Sequence, residues 1–539
     1  MLGLMQNRQL LVSSIIDFAD KNYGDVEIVS KTDSNQVHRY SYSEATYRIK
    51  KLINALKNIG LKKGDKVATL AWNDHRHFEL YYAISSMGAI LHTINPRLFE
   101  EQIIYISNHA EDSILFFDQS FANLVNNISK KLVSVKKYVI MKSEKSDLNI
   151  KLDNIISYEN FIDHKVKDLD WPNFKEEEAC SLCYTSGTTG NPKGVLYSHK
   201  STLLHAWATS MPDTLCISAS SVVMPVVPMF HANAWGLVYA APMTGAKLVL
   251  PGSDLDGESI YKIINDEKVT ISAGVPTVWL MLLNYMDQNR GSIMSVKNLV
   301  IGGSAAPKSM IKEFSDKYNV TVLHAWGMTE MSPLGTVCRL LPKHNDLSIA
   351  SKFDLKAKQG RAIFGVEMKI TDDSGVEMPR DGKSFGNLKV KGPWVAEAYY
   401  KEPKKILDEE GWFNTGDVAT IDPDGFMQIT DRSKDVIKSG GEWISSIDLE
   451  NIAIGHEKIL EACVIGIPDT KWDERPLLLI VQDKKSELTK KEVLDFFVGK
   501  VAKWWIPDDV IFLEELPHTA TGKLLKSKLR DEFKNHKIV

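Results

Sequence analysis

The chain has 539 residues, 44% apolar and 25% charged, with 65 basic and 69 acidic side chains and a net charge of −4. That length supports a large core and more than one domain. The near-balanced, scattered charge excludes a basic field of the kind that binds nucleic acid.

In chain order, Met1 to Arg8 lacks the basic n-region of a secretory leader. Ser41-Tyr42-Ser43-Glu44 is a capping-box pattern with Ser41 at the N-cap. Ile49, Leu52, Ile53 and Leu56 continue it at helical spacing, and Gly60 stands where a C-terminal stop belongs. Lys66 to Ala71 reads as a buried strand. Cys180 and Cys183 form a CxxC with no second pair or nearby His to complete a zinc set, and read as apolar filler in a strand.

From residue 246 strands and helices alternate. Leu248 to Leu250, Val269 to Ser272, Leu299 to Ile301 and Val320 to His324 are expected strands. Glu258 to Asn265, Pro276 to Tyr285 and Pro307 to Tyr318 are expected helices. Such alternation argues for parallel sheets covered by helices. After about residue 365 the texture becomes β-rich, with a strand in Gly386 to Gly392 and a turn at Asp422-Pro423-Asp424-Gly425. A second βα segment follows, with strands near Cys463 to Ile467 and Leu477 to Gln482 and a helix near Lys490 to Val501. Lys484, Lys485, Lys490 and Lys491 read as solvated helix surface. The charged run Asp431-Arg432-Ser433-Lys434-Asp435 is the proposed domain boundary. No apolar run reaches bilayer length, and the last four residues match no simple C-terminal address. Five thinly spread cysteines suit a reducing compartment, so the expected location is cytoplasmic.

The most informative string is Tyr184-Thr185-Ser186-Gly187-Thr188-Thr189-Gly190-Asn191-Pro192-Lys193-Gly194, with three Thr, one Ser, three Gly and one Lys between 185 and 194. Glycine lets backbone approach an oxygen-rich ligand, and hydroxyls, N–H groups and an ammonium all donate to phosphate. It is not a Walker A loop, because Gly190 is followed by Asn191 and Lys193 by Gly194.

As a whole string it resembles the phosphate loop of the adenylate-forming acyl-CoA synthetases. The resemblance recurs in order from about residue 40 to residue 530. His324-Ala325-Trp326-Gly327-Met328-Thr329-Glu330 is similar to the family's adenine and metal motif, and Thr415-Gly416-Asp417 to its ribose motif. Asp431 to Asp435 followed by Lys438-Ser439-Gly440-Gly441-Glu442 is similar to its hinge and CoA-side loop, and Pro517 to Lys523 to its catalytic-lysine loop. The resemblance implies an α/β fold: a large N-terminal AMP-binding domain, 1–431, of parallel-rich sheets covered by helices plus a β-rich subdomain, and a small, mobile α+β C-terminal domain, 432–539, joined by a hinge.

It also implies the chemistry. A carboxylate attacks the α-phosphate of ATP, pyrophosphate leaves, and CoA captures the acyl-adenylate with loss of AMP. The enzyme's task in the first step is positioning and charge stabilisation. By resemblance Lys523 bridges carboxylate and α-phosphate, and Thr185 and Glu330 hold Mg2+, a hard ion suited to alcohol, carboxylate and phosphate oxygens. These three and His231 are the expected catalytic residues. The expected nucleotide contacts are Thr185, Ser186, Gly187, Thr188, Thr189, Gly190 and Lys193 for phosphate, His324 and Ala325 of the adenine and metal motif with Trp326 and Gly327 lining the adenine, Thr329 at the α-phosphate, Asp417 and Arg432 at the ribose, and also Gly303 and Lys523. The CoA side is expected at Lys434, Lys438, Ser439, Gly440, Gly441, Glu442 and Trp443. Arg475 is read either as a CoA-phosphate contact or as exposed surface.

Pro228-Met229-Phe230-His231-Ala232-Asn233-Ala234-Trp235-Gly236 resembles the acyl-pocket segment. None of residues 229–236 is acidic, which disfavours an amino-acid substrate. His231, Trp235, Gly302, Gly303 and Pro333 are expected to line an apolar slot. Ala71-Trp72-Asn73, His92 to Arg97 and Lys503 to Asp508 resemble the medium-chain fatty acyl-CoA synthetase branch, which contains the ligases of 3-(methylthio)propionate formed in dimethylsulfoniopropionate breakdown. That acid is the favoured substrate, with a medium- or short-chain fatty acid as the alternative, since thioether and methylene present similar apolar surface. An adenylating enzyme without CoA transfer and an inactive nucleotide-binding relative are the remaining readings. The branch also implies a homodimer.

Overall fold

The computed structural model describes residues 1, 3–32, 36–142, 152–163, 170–185, 191–439, 442–483, 487–518 and 524–536. The chain divides into two compact units: Met1–Gly187, Asn191–Glu367 and Lys391–Leu407 in the larger, and Met368–Val390 and Asp408–Val539 in the smaller.

Two sheets organise the larger unit. Among the described residues one has seven strands, in the order Ile155–Ser157, Lys137–Met141, Asp112–Asp118, Lys66–Leu70, Ile90–Thr93, Ala179–Tyr184 and Gly194–Ser198. All its pairs are parallel except the last. The other has nine strands, with Lys247–Leu250, Val222–Pro225, Ile271–Gly274, Asn298–Ile301 and Thr321–Gly327 side by side and parallel at its centre. These central strands read as short apolar runs because helices cover both faces. Trp279, Leu282, Leu283 and Met286 of helix Pro276–Asn289 pack with Leu299, Ile301 and Phe314 in one core cluster.

The smaller unit carries the β-rich subdomain, with Gly386–Lys391, Phe413–Ile421 and Met427–Arg432 paired antiparallel. Its second sheet pairs Ile459–Asp469 with Asp473–Gln482, to which Asp509–Phe512 adds in parallel. Helix Ser446–Ile454 packs on this sheet through Leu449 and Ala453.

The predicted capping box is present: Ser41 Oγ accepts from Glu44 N–H, and Glu44 returns the bond to Ser41 N–H at 2.7 Å. Helix Tyr42–Asn58 ends as its glycine foretells. Gly60 takes φ +82°, its N–H donates to Lys57 O at 3.0 Å, and Leu61 N–H donates to Leu56 O at 3.1 Å. That pair of bonds satisfies carbonyls the helix leaves open. Two of the boundaries that differ from expectation have a plain local cause. The strand placed at Val269 to Ser272 is Ile271–Gly274, because Val269 N–H still donates to Ile264 O and closes the preceding helix. The helix expected through Val501 ends at Phe497, and Gly499 beyond it adopts φ +78°. Lys490 and Lys491 lie on that helix, paired with Asp509 and Asp495, whereas Lys484 and Lys485 lie outside the described residues.

Candidate active site

In the larger unit the expected residues gather at the carboxyl ends of parallel strands, where α/β sheets bind ligands. Thr185 follows Ala179–Tyr184, Gly302 and Gly303 follow Asn298–Ile301, and Trp326 and Gly327 close Thr321–Gly327. A bulge falls between Trp326 and Gly327 as the next strand pairs antiparallel, a device that re-aims backbone beside a site.

At the phosphate side, Thr185 N–H donates to Lys193 O at 2.9 Å and Lys193 N–H to Thr185 Oγ1 at 3.3 Å. The Lys193 ammonium stands 4.7 Å from the Tyr399 ring centroid, and the Tyr399 hydroxyl donates to Glu330 Oε1 at 2.7 Å. Burial, then the Glu330 charge, raises the Tyr399 pKa, so the hydroxyl stays a donor. Glu330 is 7% exposed, and its backbone O accepts from Ala396 N–H at 2.7 Å. The Tyr197 hydroxyl holds Thr329 O at 2.6 Å. A Thr hydroxyl and a carboxylate joined by this short chain of contacts fit magnesium, which takes few protein oxygens and leaves the rest of its shell to phosphate and water.

His324 is fully buried with a defined tautomer. Its Nε2 accepts from Ala306 N–H at 3.2 Å, so Nδ1 carries the proton and donates to Ala357 O at 2.9 Å. Burial lowers its pKa to about 4, leaving a neutral ring that fixes the strand end before Ala325 and Trp326.

Three of the expected acyl-slot residues, Trp235, Gly302 and Gly303, also meet. A Cβ on Gly302 would lie 3.1 Å from both the Trp235 ring and Ala325 O. Gly303, at φ +80°, leaves 3.9 Å between such a Cβ and the same ring. The Trp235 ring therefore packs directly against the Gly302–Gly303 backbone, with Val275 Cγ1 3.2 Å from where a Gly303 Cβ would be. His231 begins the segment in extended backbone (φ −116°), its N–H on Pro228 O at 3.0 Å. Pro333 lies across the hairpin from Met328, whose N–H it accepts at 3.0 Å.

Between His231 and helix Leu237–Thr244 the chain makes a left-handed turn. Ala232, Asn233, Ala234, Trp235 and Gly236 take φ of +43°, +55°, +51°, +54° and +79°. For a non-glycine residue this conformation costs roughly 1–2 kcal/mol, so surrounding contacts must hold it. Asn73 holds the segment just before it, donating to Pro225 O at 2.8 Å and Val227 O at 3.0 Å while accepting from Met229 N–H at 2.6 Å. The Tyr81 hydroxyl donates to Met229 O, and Thr93 Oγ1 to Phe230 O at 3.4 Å. Buried His205 accepts from Leu334 N–H at 3.0 Å and lies 2.7 Å from where a Gly236 Cβ would be. Burial drops its pKa to about 3. None of Asn73, Tyr81, Asn233, His205, Tyr197 and Tyr399 was assigned a role from the sequence, because their partners lie far along the chain.

In the smaller unit Asp417 and Arg432 are cross-strand neighbours, Arg432 Nε standing 2.9 Å from Asp417 Oδ1. Asp417 N–H donates to Thr415 Oγ1 at 3.1 Å, and Gly416 at φ +73° makes the turn. Asp431 is tied forward: Ser446 N–H donates to its Oδ2 at 2.7 Å. Lys434 has a lowered pKa from burial and neighbouring Arg530 and Arg432 charge. Lys438 N–H donates to Glu474 Oε2 at 2.9 Å, and Ser439 Oγ accepts from Arg475 at 3.1 Å. Arg475 is neither exposed surface nor an open cation. It is 9% exposed and grips Asp508 with two bonds of 2.6 and 2.7 Å. Ser186, Gly187, Thr188, Thr189, Gly190, Gly440, Gly441 and Lys523 lie outside the described residues, as do the side chains of Glu442 and Trp443.

Asp448, in the first turn of helix Ser446–Ile454, has its pKa pushed up to about 6 by burial and the Asp431 charge. A raised carboxyl pKa stabilises the fold most when protonated. That contribution is full below about pH 4 and is lost as pH rises through 6. Asp448→Asn is expected to be more stable than wild type at pH 8, by up to roughly 2–3 kcal/mol, and so to melt higher, with the gap closing at pH 4. Thermal melts at both pH values test this, and a wild-type advantage at pH 8 refutes it.

The sequence profile of the AMP-binding enzyme family matches residues 17–400, and that of the AMP-binding enzyme C-terminal domain matches 448–523. The chain is 51% identical over 533 residues to the medium-chain-fatty-acid–CoA ligase of Ectopseudomonas oleovorans, covering 99% of this chain and 98% of the relative. It is 51% identical over 535 residues to the 3-methylmercaptopropionyl-CoA ligase of Ruegeria lacuscaerulensis, covering 99% of each. A crystal structure of an anthranilate CoA ligase in complex with anthranoyl-AMP superposes with a TM-score of 0.83 at 25% identity over 98% of both chains. No helix among the described residues is long and apolar enough to cross a membrane.

Proposed function

The chain belongs to the AMP-binding enzyme family, as an ATP-dependent acyl-CoA ligase, and from that premise we propose that its acid is 3-(methylthio)propionate. The observation that carries the choice is the Trp235 ring against the Gly302–Gly303 floor. The indole offers an aromatic face, and a thioether sulfur gains about 0.3–1.5 kcal/mol from such a contact that a methylene does not. A medium-chain fatty acid is the second reading, favoured by the 51% identity to a medium-chain ligase.

In this reading Lys193 and Thr185 hold ATP's phosphates, Thr329 meets the α-phosphate, and Gly303, His324, Ala325, Trp326 and Gly327 surround adenine. The Asp417 carboxylate accepts from the ribose hydroxyls, and its ion pair with Arg432 holds it in orientation. Magnesium held by Thr185 and Glu330 would supply charge neutralisation on the phosphates. His231 orients the acid carboxylate. Lys523 supplies the cation of the first step, and Lys434 to Trp443 the CoA side of the second. The family supports these roles, as does the convergence of the larger unit's members at strand ends.

The domain division at 431/432 remains part of the proposal, supported by its position between the two matched spans, 17–400 and 448–523. We further place the enzyme in the cytoplasm, where ATP and CoA are consumed, as a homodimer.

The test is kcat/KM on 3-(methylthio)propionate, butyrate, hexanoate and octanoate with ATP and CoA. We expect 3-(methylthio)propionate to exceed octanoate by roughly tenfold, the scale on which apolar pockets discriminate by a few methylenes. A preference that rises through octanoate overturns the choice in favour of the medium-chain reading.

A further inference from the structure

We infer that Asn233 is a positioning residue that sets acid selectivity: it locks the left-handed turn, and with it Trp235, onto the strand that leads into Thr185. The inference rests on the reading of Trp235 as a wall of the acid slot.

Asn233 is 3% exposed. Its Oδ1 lies 3.2 Å from Ser181 Oγ, 3.5 Å from Cys183 Sγ and 3.3 Å from the Tyr81 hydroxyl. Ser181 and Cys183 belong to strand Ala179–Tyr184, and Tyr81 to helix His75–Ser86. In a helical turn, residues two apart point about 200° away from each other. Asn233 therefore reaches back to the phosphate-side strand while Trp235 reaches forward to Gly302, as their contacts show.

The turn needs such an anchor. Asn and Gly tolerate positive φ, but Ala and Trp resist it. Ala232 and Ala234 carry only methyl groups, so Asn233 is the member of the turn with a hydrogen-bonding side chain directed into that strand. His205 secures the other end, beside Gly236. One amide thus fixes the distance between the acid's wall and the strand that leads into the phosphate loop. That distance governs in-line attack, since misplacement by an ångström is costly.

The experiment compares wild type, Asn233→Gly, Ser181→Ala and Trp235→Ala on the four acids above, with KM for ATP measured in parallel. Asn233→Gly keeps the backbone freedom and removes only the anchor. We expect its KM for the preferred acid to rise about tenfold and the kcat/KM ratio between short and long acids to flatten, with KM for ATP within about twofold. Ser181→Ala, which removes one donor, should move the same ratio by about threefold. A folded Asn233→Gly enzyme with an unchanged acid profile overturns the inference. If that variant does not fold, an unchanged profile in the Ser181→Ala, Cys183→Ala double variant overturns it instead. Trp235→Ala separates the two levels. A profile altered there but not at Asn233 sinks this inference alone, and one unaltered at Trp235 sinks the slot reading as well.

Discussion

Lys523→Ala is expected to slow acyl-adenylate formation by about a thousandfold, while capture of pre-formed acyl-adenylate by CoA stays within a few-fold of wild type. The asymmetry follows from where charge develops. In the first step a carboxylate anion approaches a phosphoryl group that already carries negative oxygens, so a cation between them acts on the transition state most strongly. In the second step a thiol meets a neutral acyl carbonyl and AMP departs, and the same cation is not needed there. The flanks of the lysine loop support a clean substitution. His518 and Leu524 pair as an isolated bridge, and Leu525 N–H donates to Pro517 O at 2.8 Å. Lys526 beyond them is buried, 2.7 Å from Glu450, and despite burial the Glu450 and Asp431 charges keep it protonated. The flanks keep these contacts when residue 523 is shortened. ATP–pyrophosphate exchange reads the first step, and formation of the CoA ester from synthetic acyl-adenylate reads the second. Equal loss of both would remove the division of labour assigned to Lys523.

What the sequence disclosed, and what it concealed, divides along contact distance. Ser41 and Glu44 cap one helix across three residues, and a reader of local pattern finds them. The glycines at 302 and 303 announce a bare strand end, and the structure sets Trp235 over them. The left-handed turn is different. Ala232-Asn233-Ala234-Trp235 has the composition of an ordinary helix start, and its handedness comes from partners such as Asn73, Tyr81 and Ser181 in distant segments. Tyr399 is equally silent, for it matters only through Glu330, 69 positions away. Arg475 is hidden from a local reading for the same reason: Asp508, 33 residues on, takes its guanidinium out of solvent. The helix beyond Phe497 failed differently. Val498 and Val501 continue an apolar rhythm, but the positive φ of Gly499 ends it.

Glu330→Gln is the second large effect expected, a loss of about a hundred- to a thousandfold in adenylate formation. The substitution is chosen for what it preserves. A glutamine carbonyl still accepts from the Tyr399 hydroxyl, now 2.7 Å from Glu330 Oε1, and the backbone bond from Ala396 is untouched. A buried hydrogen bond kept in place limits the stability change to roughly 1 kcal/mol. The negative charge disappears, and with it, in the proposed ligand role, much of the site's affinity for a hard divalent cation. Two signatures separate this role from a structural one. The magnesium concentration for half-maximal rate should rise about tenfold or more, as expected when a carboxylate ligand becomes a neutral amide. Tyr399→Phe, which removes the hydroxyl but leaves the carboxylate, should cost only about three- to tenfold and shift the magnesium requirement slightly. A Glu330→Gln enzyme with wild-type magnesium dependence, or a Tyr399→Phe enzyme as impaired as Glu330→Gln, would reassign Glu330 from holding the ion to holding the strand end at Thr329.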